Sequence, residues 1–380
     1  MVFSRKMLLA PLVLGSAMAL PLTSFATTYT SIVTGVDSGP NNPGELQVIG
    51  LGTDGFAYLP VWQDTNGNWT QAGILPGQGV PFSALVTGIS VGGLGKLQVI
   101  GLGANDGHAY VAAFQDTGGN WYPGGPMPNQ TVAYSQLVTG VGNSTAPLQL
   151  IGLGASDGFA YLAAYQDTGG TWHSGGVLPG QTRRFSFLVA GTGNGGHLQV
   201  IGKGASDGIL YLAAWQDSNG TWHASGSLPN SSPGFSALAP ANGNKGNLNV
   251  IGLASGNGEL YLPDWQESSN GSWHGAGILP NQSTAFSQLV VGVGNSGFLQ
   301  VGGLGASDHL LHMTDFQNGN GTWVGIGSIP TFNATVTQVV TGRGNSGHLQ
   351  ILGLGTNNHI ELITWQDGSG TWHAGNDLTP

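Results

Sequence analysis

Aromatic and imidazole side chains recur along the chain in a fixed local order. An aromatic-Gln pair, an acid or amide, a Gly-rich turn and a Trp follow one another seven times. The tryptophans are Trp69, Trp121, Trp172, Trp222, Trp273, Trp323 and Trp372. In four copies the next residue is a His: His173, His223, His274 and His373. Aromatic faces accept the polarised C–H groups of a pyranose, and imidazole nitrogens bond hydroxyls. These residues are therefore one candidate set for carbohydrate binding.

A second polar set pairs a turn acid with a Tyr four residues later. The pairs are Asp54 with Tyr58, Asp106 with Tyr110, Asp157 with Tyr161, and Asp207 with Tyr211. Later copies change to Asn257 with Tyr261, Asp308 with His312, and Asn358 with Glu361. Such decay is compatible with binding, because a multivalent protein can lose some of its sites. For both sets the alternative interpretation is a purely structural one, in turns and in packing.

Chemistry other than binding has weaker support in the sequence. Asp264 and Asp315 occupy equivalent positions in adjacent copies, and paired acids of this kind are what a hydrolase or lyase would need. A sialidase is excluded, because it needs a cluster of arginines for the sugar carboxylate and only Arg183, Arg184 and Arg343 follow residue 26. The turn acids supply too few carboxylates for calcium. We predict no metal, no cofactor and no catalytic residue.

The elements that hold these residues are copies of one unit. A Leu-Gln-Val/Ile-Ile-Gly signature recurs every 50 or 51 residues, with its Gln at 47, 98, 149, 199, 300 and 350 and Asn at 249. Units of about 27–78, 79–130, 131–181, 182–231, 232–282, 283–331 and 332–380 result. Each contains four short apolar runs bounded by Gly, Asn and Asp. This pattern predicts an all-β, seven-bladed β-propeller with four antiparallel strands per blade. The mode of ring closure stays open, because it depends on which strand is outermost.

Composition and the N-terminus restrict the protein's environment. The chain has 380 residues, including 68 Gly and no Cys, and only 7 % of its residues are charged, with a formal net charge of −10. Such a chain is a poor partner for nucleic acid. Residues 1–26 have the pattern of a signal peptide, with Arg5 and Lys6 before an apolar run and Ala26 at the cleavage site. The alternative, a membrane anchor, is disfavoured because Pro11 interrupts a short run. We therefore predict a secreted or periplasmic protein without membrane insertion.

The repeated motif resembles that of a known family. LQVIGLG, a Ser/Asn-Asp-Gly turn, YLAAWQD and Gly-x-Trp are together similar to the seven-bladed lectins of the Photorhabdus type, over residues 27–380. The resemblance implies binding of L-fucose and O-methylated sugars between neighbouring blades. Members of the family often self-associate, so the question of a homo-oligomer stays open. We expect a secreted multivalent lectin with glycan partners and no enzymatic activity. The alternatives are a protein-interaction propeller without sugar binding, or a propeller hydrolase or lyase that uses Asp264 and Asp315.

Overall fold

The protein folds into seven similar sheets. The computed structural model describes residues 28–379 except 38–43, 91–95, 143–147, 231–233, 244–245, 283, 295–296 and 345–346. The predicted signal peptide, residues 1–26, lies outside the described residues. Within the described ranges the chain forms 28 strands in seven antiparallel sheets of four, and one short 3-10 helix, Asn194–Gly196. The predicted seven-bladed β-propeller is confirmed.

The blades are numbered here in chain order. Blade 1 contains β1 (Tyr29–Asp37), β2 (Glu45–Gly52), β3 (Ala57–Gln63) and β4 (Trp69–Gln71). Blade 2 contains β5 (Phe82–Ile89), β6 (Leu97–Gly103), β7 (Ala109–Gln115) and β8 (Trp121–Pro126). Blade 3 contains β9 (Tyr134–Val141), β10 (Leu148–Gly154), β11 (Ala160–Gln166) and β12 (Trp172–Val177). Blade 4 contains β13 (Phe185–Thr192), β14 (Leu198–Gly204), β15 (Leu210–Gln216) and β16 (Trp222–Ala224). Blade 5 contains β17 (Phe235–Asn242), β18 (Leu248–Ala254), β19 (Leu260–Gln266) and β20 (Trp273–Gly275). Blade 6 contains β21 (Phe286–Val293), β22 (Leu299–Gly305), β23 (Leu311–Gln317) and β24 (Trp323–Gly325). Blade 7 contains β25 (Val336–Arg343), β26 (Leu349–Gly355), β27 (Ile360–Gln366) and β28 (Trp372–Asp377).

Within each blade the strands run outwards in sequence order. The first strands of successive blades contact one another around the central axis, and each sheet has the order first, second, third, fourth. Six of the seven second strands are buried along their whole length, as in the LQVIGLG segment of β6, and in β14 only Lys203 is half-buried. A strand covered on both faces reads as a continuous apolar run, because neither face needs polar side chains. The fourth strands carry half-buried and exposed residues and form the outer rim.

Apolar side chains fill the spaces between neighbouring blades. Ile49 and Leu51 of blade 1, for example, share one buried cluster with Ala112 and Ala113 of blade 2. Gly101 lies where a Cβ would stand 2.3 Å from the ring of Phe82, so this strand position needs Gly. Burial of apolar surface in such clusters is the main stabilising contribution between blades.

The repeated glutamines of the second and third strands link neighbouring blades at three junctions: blade 1 to 2, blade 3 to 4 and blade 7 to 1. The Nε2 group of Gln47 in blade 1 donates to the Oε1 atom of Gln115 in blade 2 over 2.9 Å, and Gln149 donates to Gln216 over 2.6 Å in the same way. The strand-three Gln also donates to a Gly carbonyl in its own hairpin, as Gln115 does. These amides are buried, and their hydrogen bonds offset the cost of removing them from water.

The ring closes without an exchanged strand. Blade 1 consists of the first four strands and blade 7 of the last four. The backbone N–H of Tyr29 donates to Asn358 Oδ1 over 2.6 Å, and Gln338 bonds both the N–H and the carbonyl of Ile32. Thr34 Oγ1 donates to the carbonyl of Thr341 across the same junction. In the described ranges, no helix has the length and apolar character to span a membrane.

Candidate functional site

The two predicted sets of binding residues lie on opposite faces of the propeller. Each Asp/Tyr pair lies where the second strand turns into the third, as in the turn between β6 and β7. Each Trp begins the fourth strand, after the hairpin at the other end of the third. Because antiparallel strands place successive turns at opposite ends of a sheet, the two sets cannot form one site. We call these the Tyr face and the Trp face.

On the Tyr face each acid is already bonded within its own turn. Tyr110 Oη donates to Asp106 Oδ2 over 2.6 Å, while Asp106 Oδ1 accepts the N–H of His108. The hydrogen bond from Tyr110 is the largest cause of a lowered pKa for Asp106, and it raises the pKa of Tyr110. The corresponding Oη–Oδ2 distances in the other pairs are 2.6 Å for Tyr58 and Asp54, 2.5 Å for Tyr161 and Asp157, and 2.9 Å for Tyr211 and Asp207. The pairs therefore fasten the turns.

In blade 7 the structure corrects the predicted pairing. Asn357, and not Asn358, occupies the position of the turn acid, because its Oδ1 accepts the N–H of His359 two residues on. Asn358 has a positive φ of 68° and bonds the backbone of Tyr29. The pairing of Asn358 with Glu361 was wrong because the blade 7 turn is one residue shorter than those of blades 2 to 6, as is the blade 1 turn.

Blade 4 adds a cation to its Asp/Tyr pair. Arg183 Nη1 lies 3.2 Å from Asp207 Oδ2, and the guanidinium carbon lies 4.6 Å from the centre of the Tyr211 ring. Arg183 and Tyr211 line a cavity of about 390 Å³ between the preceding link and β15. Tyr211, one of the binding residues predicted on the Tyr face, therefore lines a recess that also contains other polar groups, such as Gln181.

On the Trp face the tryptophans seal the edges of the cores between blades. All seven are half-buried and pack against one of the seven buried clusters. The cluster that Trp172 contacts also contains Ile100 and Val111 of the preceding blade. The indole Nε1 groups of Trp222, Trp273 and Trp323 are buried and have no hydrogen-bond partner within the described part of the chain. These rings contribute to structure, because each packs against a cluster that includes residues of the preceding blade.

The histidines after the tryptophans are held from two sides. His223 stacks on Trp215 with ring centres 4.4 Å apart, and its Nε2 lies 2.9 Å from Asp217 Oδ2. His173 and His373 have the same arrangement with Asp167 and Asp367, both at 2.8 Å. His274 stacks on Trp265 at 4.5 Å, but its Nε2 is 3.6 Å from Glu267. The fixed imidazoles form a regular polar rim on the Trp face.

The turn acids of this rim have a structural role. Asp167 Oδ1 accepts the N–H groups of Gly169 and Thr171, both over 2.9 Å. The hydrogen bond with His173, followed by the backbone bonds, lowers the pKa of Asp167. An acid that satisfies two backbone donors in this way fixes a hairpin, because it replaces the water that those donors would otherwise need.

The clearest recess near the tryptophans lies between blades 2 and 3. We call it the blade 2–3 cavity; its volume is about 360 Å³. Its lining comprises Ser90, Lys96, Gln98, Val111, Phe114, Pro123, Gly124, Gly125, Pro126, Gln166, Thr168, Gly169, Gly170 and Trp172. Two aromatic rings, Phe114 and Trp172, share the cavity with amide, hydroxyl and ammonium groups. Small-ligand sites commonly combine an apolar wall with a few convergent polar groups in this way.

The sequence reasoning missed the glycines of the outer strands. Gly125, opposite Val111 in β8, lines the blade 2–3 cavity, and a Cβ built on it meets no atom within 4 Å. Equivalent open positions are Gly73, Gly176, Gly226 and Gly277. Gly inside a strand is typical of a place where a ligand or another backbone approaches closely. Gly125 and Gly176 lie within a fourth strand, whereas Gly73, Gly226 and Gly277 lie two residues beyond the end of a shorter one. Recurrence at this position of the unit was the available signal.

The acids considered for catalysis lie apart. Asp264 and Asp315 are fully buried in β19 and β23, in separate blades. Asp264 Oδ1 accepts the N–H of Asn230 over 2.9 Å, and Asn281 Nδ2 donates to Asp315 Oδ1 over 3.3 Å. Each acid thus bonds the segment that connects the preceding blade to its own; we call such a segment a link. Burial raises the pKa of Asp264 to about 7 and also raises that of Asp315.

Comparison with known proteins supports the fold. No family model matches the sequence, and no curated protein matches it. Among solved structures, a six-bladed fungal lectin from Aleuria aurantia is similar over 93 % of this chain and 97 % of its own, with a TM-score of 0.50 and 14 % identity. A fungal alcohol oxidase in complex with copper is similar over 87 % of this chain and 73 % of its own, with a TM-score of 0.52 and 14 % identity. At this identity the likeness shows a β-propeller only.

Proposed function

We propose that the protein is a secreted, multivalent lectin that binds neutral sugars in recesses between neighbouring blades. The observation that carries this proposal is the blade 2–3 cavity. There Trp172 and Phe114 offer apolar ring surface, while Gln98, Gln166 and Thr168 offer groups that bond hydroxyls. Only Lys96 is charged in this lining. A lining of this kind suits an uncharged sugar better than an acidic one.

L-Fucose and O-methylated saccharides are the sugars that we propose first. The repeated motif resembles lectins that bind these sugars, and the Aleuria aurantia protein with a similar fold is described by its fucose recognition. A methyl group on C5 or on an oxygen adds apolar surface, which an aromatic wall accepts. We further propose that the sites are non-catalytic, because Asp264 and Asp315 are buried in separate blades and each bonds a link.

Repetition of weak sites is central to the proposal. The open glycine position recurs in five blades, and the Trp recurs in all seven. Several linked sites on a glycan-covered surface raise the apparent affinity by about 10²–10⁴-fold through effective concentration. Secretion through residues 1–26 would bring such a protein to its glycans. N-terminal sequencing of the extracellular protein should then begin at Thr27; retention of residues 1–26 would contradict this part.

The test fills the cavity without touching the core. In Gly125→Val the new side chain enters open space, so we expect a folded protein that has lost one sugar site. Titration with methyl α-L-fucoside should give a stoichiometry lower by one site per chain. Gly256→Val, at an open turn position outside the blade 2–3 cavity, is the matched control and should leave the stoichiometry unchanged.

A second experiment tests the multivalent part. Valine at Gly73, Gly125, Gly176, Gly226 and Gly277 together should abolish binding to a dense array of fucosylated and methylated glycans. An array that shows no glycan binding by the unchanged protein would refute the lectin function and favour a protein partner. Unchanged binding by the five-fold variant would place the sugar elsewhere, with the Arg183–Tyr211 recess as the next candidate.

A further inference from the structure

The seventh blade departs from the repeat at neighbouring positions on the Tyr face. Glu361 and Asp377 are directly opposite each other in the pairing of β27 with β28. In five other blades the same strand pair sets a Tyr opposite Ile74, Pro126, Val177, Ser227 or Ile278. Like charges directly opposite each other in a sheet are destabilising, so a structural role alone does not explain this pair.

A histidine lies beside these two acids in blade 7. His359 lies two residues before Glu361, and its Nδ1 atom is 2.6 Å from Asp377 Oδ2. One ligand atom from each of His359, Glu361 and Asp377 lies within 4.8 Å of the other two. The turn position that carries an acid in blades 1 to 4 is the neutral Asn357 here. Blade 7 therefore brings two acids and a histidine together on the Tyr face.

Glu361 forms the floor of this cluster. Its exposed fraction is 3 %, and its Oε2 atom is buried and has no hydrogen-bond partner among the described residues. Burial, followed by the charge of Asp377, raises the pKa of Glu361. His359 is half-buried and Asp377 is exposed, so the cluster opens to solvent at its upper side. Asn357 forms a side-chain hydrogen bond with this carboxyl group, which leaves Oε2 as its unpartnered oxygen. A cation bound here would give Oε2 a partner and would offset the repulsion between Glu361 and Asp377.

We propose that His359, Glu361 and Asp377 bind one divalent transition-metal ion, with zinc as the ion to test first. Zinc accepts imidazole nitrogen and carboxylate oxygen at about 2.0–2.2 Å, so its ligand atoms stand roughly 3–3.5 Å apart. Atoms within 4.8 Å reach that spacing by small side-chain rotations. Three protein ligands leave a coordination position for water or another donor on the open side. Calcium and magnesium prefer more oxygen ligands and fit this set less well.

The position of the site suggests its effect on the fold. The ion would tie the end of β28, the last strand of the chain, to the start of β27. Asn358, between His359 and Asn357, bonds the backbone of Tyr29 in blade 1. Because the ring closes without an exchanged strand, a metal clip at this junction would stabilise the closed ring. Metal binding would also replace the direct contact between His359 Nδ1 and Asp377 Oδ2.

Direct metal binding tests the proposal. The metal-free protein should bind one Zn²⁺ per chain by calorimetry, retain it through dialysis as measured by mass spectrometry, and unfold at a higher temperature with Zn²⁺ than with EDTA. Glu361→Tyr restores the residue of blades 1 to 5, and Asp377→Asn preserves shape. Each should weaken zinc binding by more than about 100-fold, since changes to groups one shell further out already cost 10–100-fold.

The matched control is the single His–acid pair of blade 6. His312 Nε2 lies 2.9 Å from Asp308 Oδ2, so Asp308→Asn should leave both zinc affinity and stoichiometry unchanged. Absence of saturable binding, or binding that survives in Glu361→Tyr, would overturn the proposal. Because the site is in blade 7, EDTA should lower the unfolding temperature while the blade 2–3 cavity still binds sugar; the two proposals can therefore fail separately.

Discussion

Replacement of Asp264 by Asn should change how the stability of the propeller depends on pH. Burial raises the pKa of Asp264 from 3.8 to about 7 in the folded protein. A carboxyl group with a higher pKa in the fold binds its proton more tightly there than in the unfolded chain. Its contribution to stability is therefore complete below pH 4 and is lost as the pH rises to 7. A shift of about three units corresponds to about 4 kcal/mol.

The amide introduced by Asp264→Asn isolates this effect. It keeps an oxygen to accept the N–H of Asn230, but it cannot ionise. Any cost of its unpartnered amide nitrogen is the same at every pH. The free energy of unfolding of Asp264→Asn relative to the unchanged protein should therefore rise by about 1.4 kcal/mol per pH unit between pH 4 and 7, and then level off.

Guanidinium unfolding curves at pH 4, 5, 6, 7 and 8 give this difference directly. Asp64→Asn is the control, because hydrogen bonds from the backbone N–H groups of Asn68 and Asn66 lower the pKa of that carboxyl, and both the folded and the unfolded state are ionised from pH 5 upwards. Its difference from the unchanged protein should not rise with pH. A flat difference for Asp264→Asn would refute the reasoning, since it would mean that Asp264 is solvated or paired in solution.

Four other substitutions have definite expected outcomes. Thr87→Val removes the 2.6 Å hydrogen bond to the carbonyl of Thr34 between the first strands of blades 1 and 2. It should cost about 1 kcal/mol of unfolding free energy, measured by denaturant unfolding. Val291 occupies the equivalent position in blade 6, so a Val side chain fits there. Gly101→Ala places a Cβ 2.3 Å from the Phe82 ring and should cost about 1–3 kcal/mol, whereas Gly125→Ala should change stability by less than about 0.5 kcal/mol. His223→Tyr should be neutral within about 0.5 kcal/mol by the same assay, because Tyr122 already stacks on Phe114 and bonds Asp116 at that position; a larger loss would mean that the imidazole itself is required.

The period of the sequence was sufficient to predict the blades, but not their radial order. Strands buried on both faces, such as β6, have no alternation to show which edge faces the axis. The order follows from contacts between first strands, for example through Thr34 and Thr87, which are 53 residues apart. Contacts at that separation leave no local pattern, and so the closure without strand exchange could not be predicted.

The candidate site was predictable only in part for a similar reason. The tryptophans were found from their spacing, yet spacing alone could not show that Trp172 both packs against a core cluster and lines a cavity. The Asp/Tyr pairs were found too, but their placement on the opposite face requires the strand directions. The sequence alone did not distinguish Gly125, because it is one of 68 glycines in the chain.

The repeat itself separates structural from functional residues. A side chain needed for folding should recur with its contacts intact, as the third-strand Gln does in its bond to a hairpin Gly carbonyl, and as the turn acids do. A residue that departs from the repeat must either compensate for another change or serve a purpose that one blade alone has. Asp264 and Asp315 belong to the first kind, since each accepts a hydrogen bond from an Asn in the preceding link.

Blade 7 is of the second kind. Glu361 opposes Asp377 without gaining a compensating partner for its buried Oε2 atom, and this costs stability in a sheet that the six other blades build without it. The repeated Trp face supplies many equivalent positions, which suits a weak ligand that is bound many times. The single cluster on the Tyr face suits a ligand that is bound once and tightly. On these grounds we propose different ligands for the two faces, neutral sugars on the Trp face and one metal ion in blade 7, next to its contacts with blade 1.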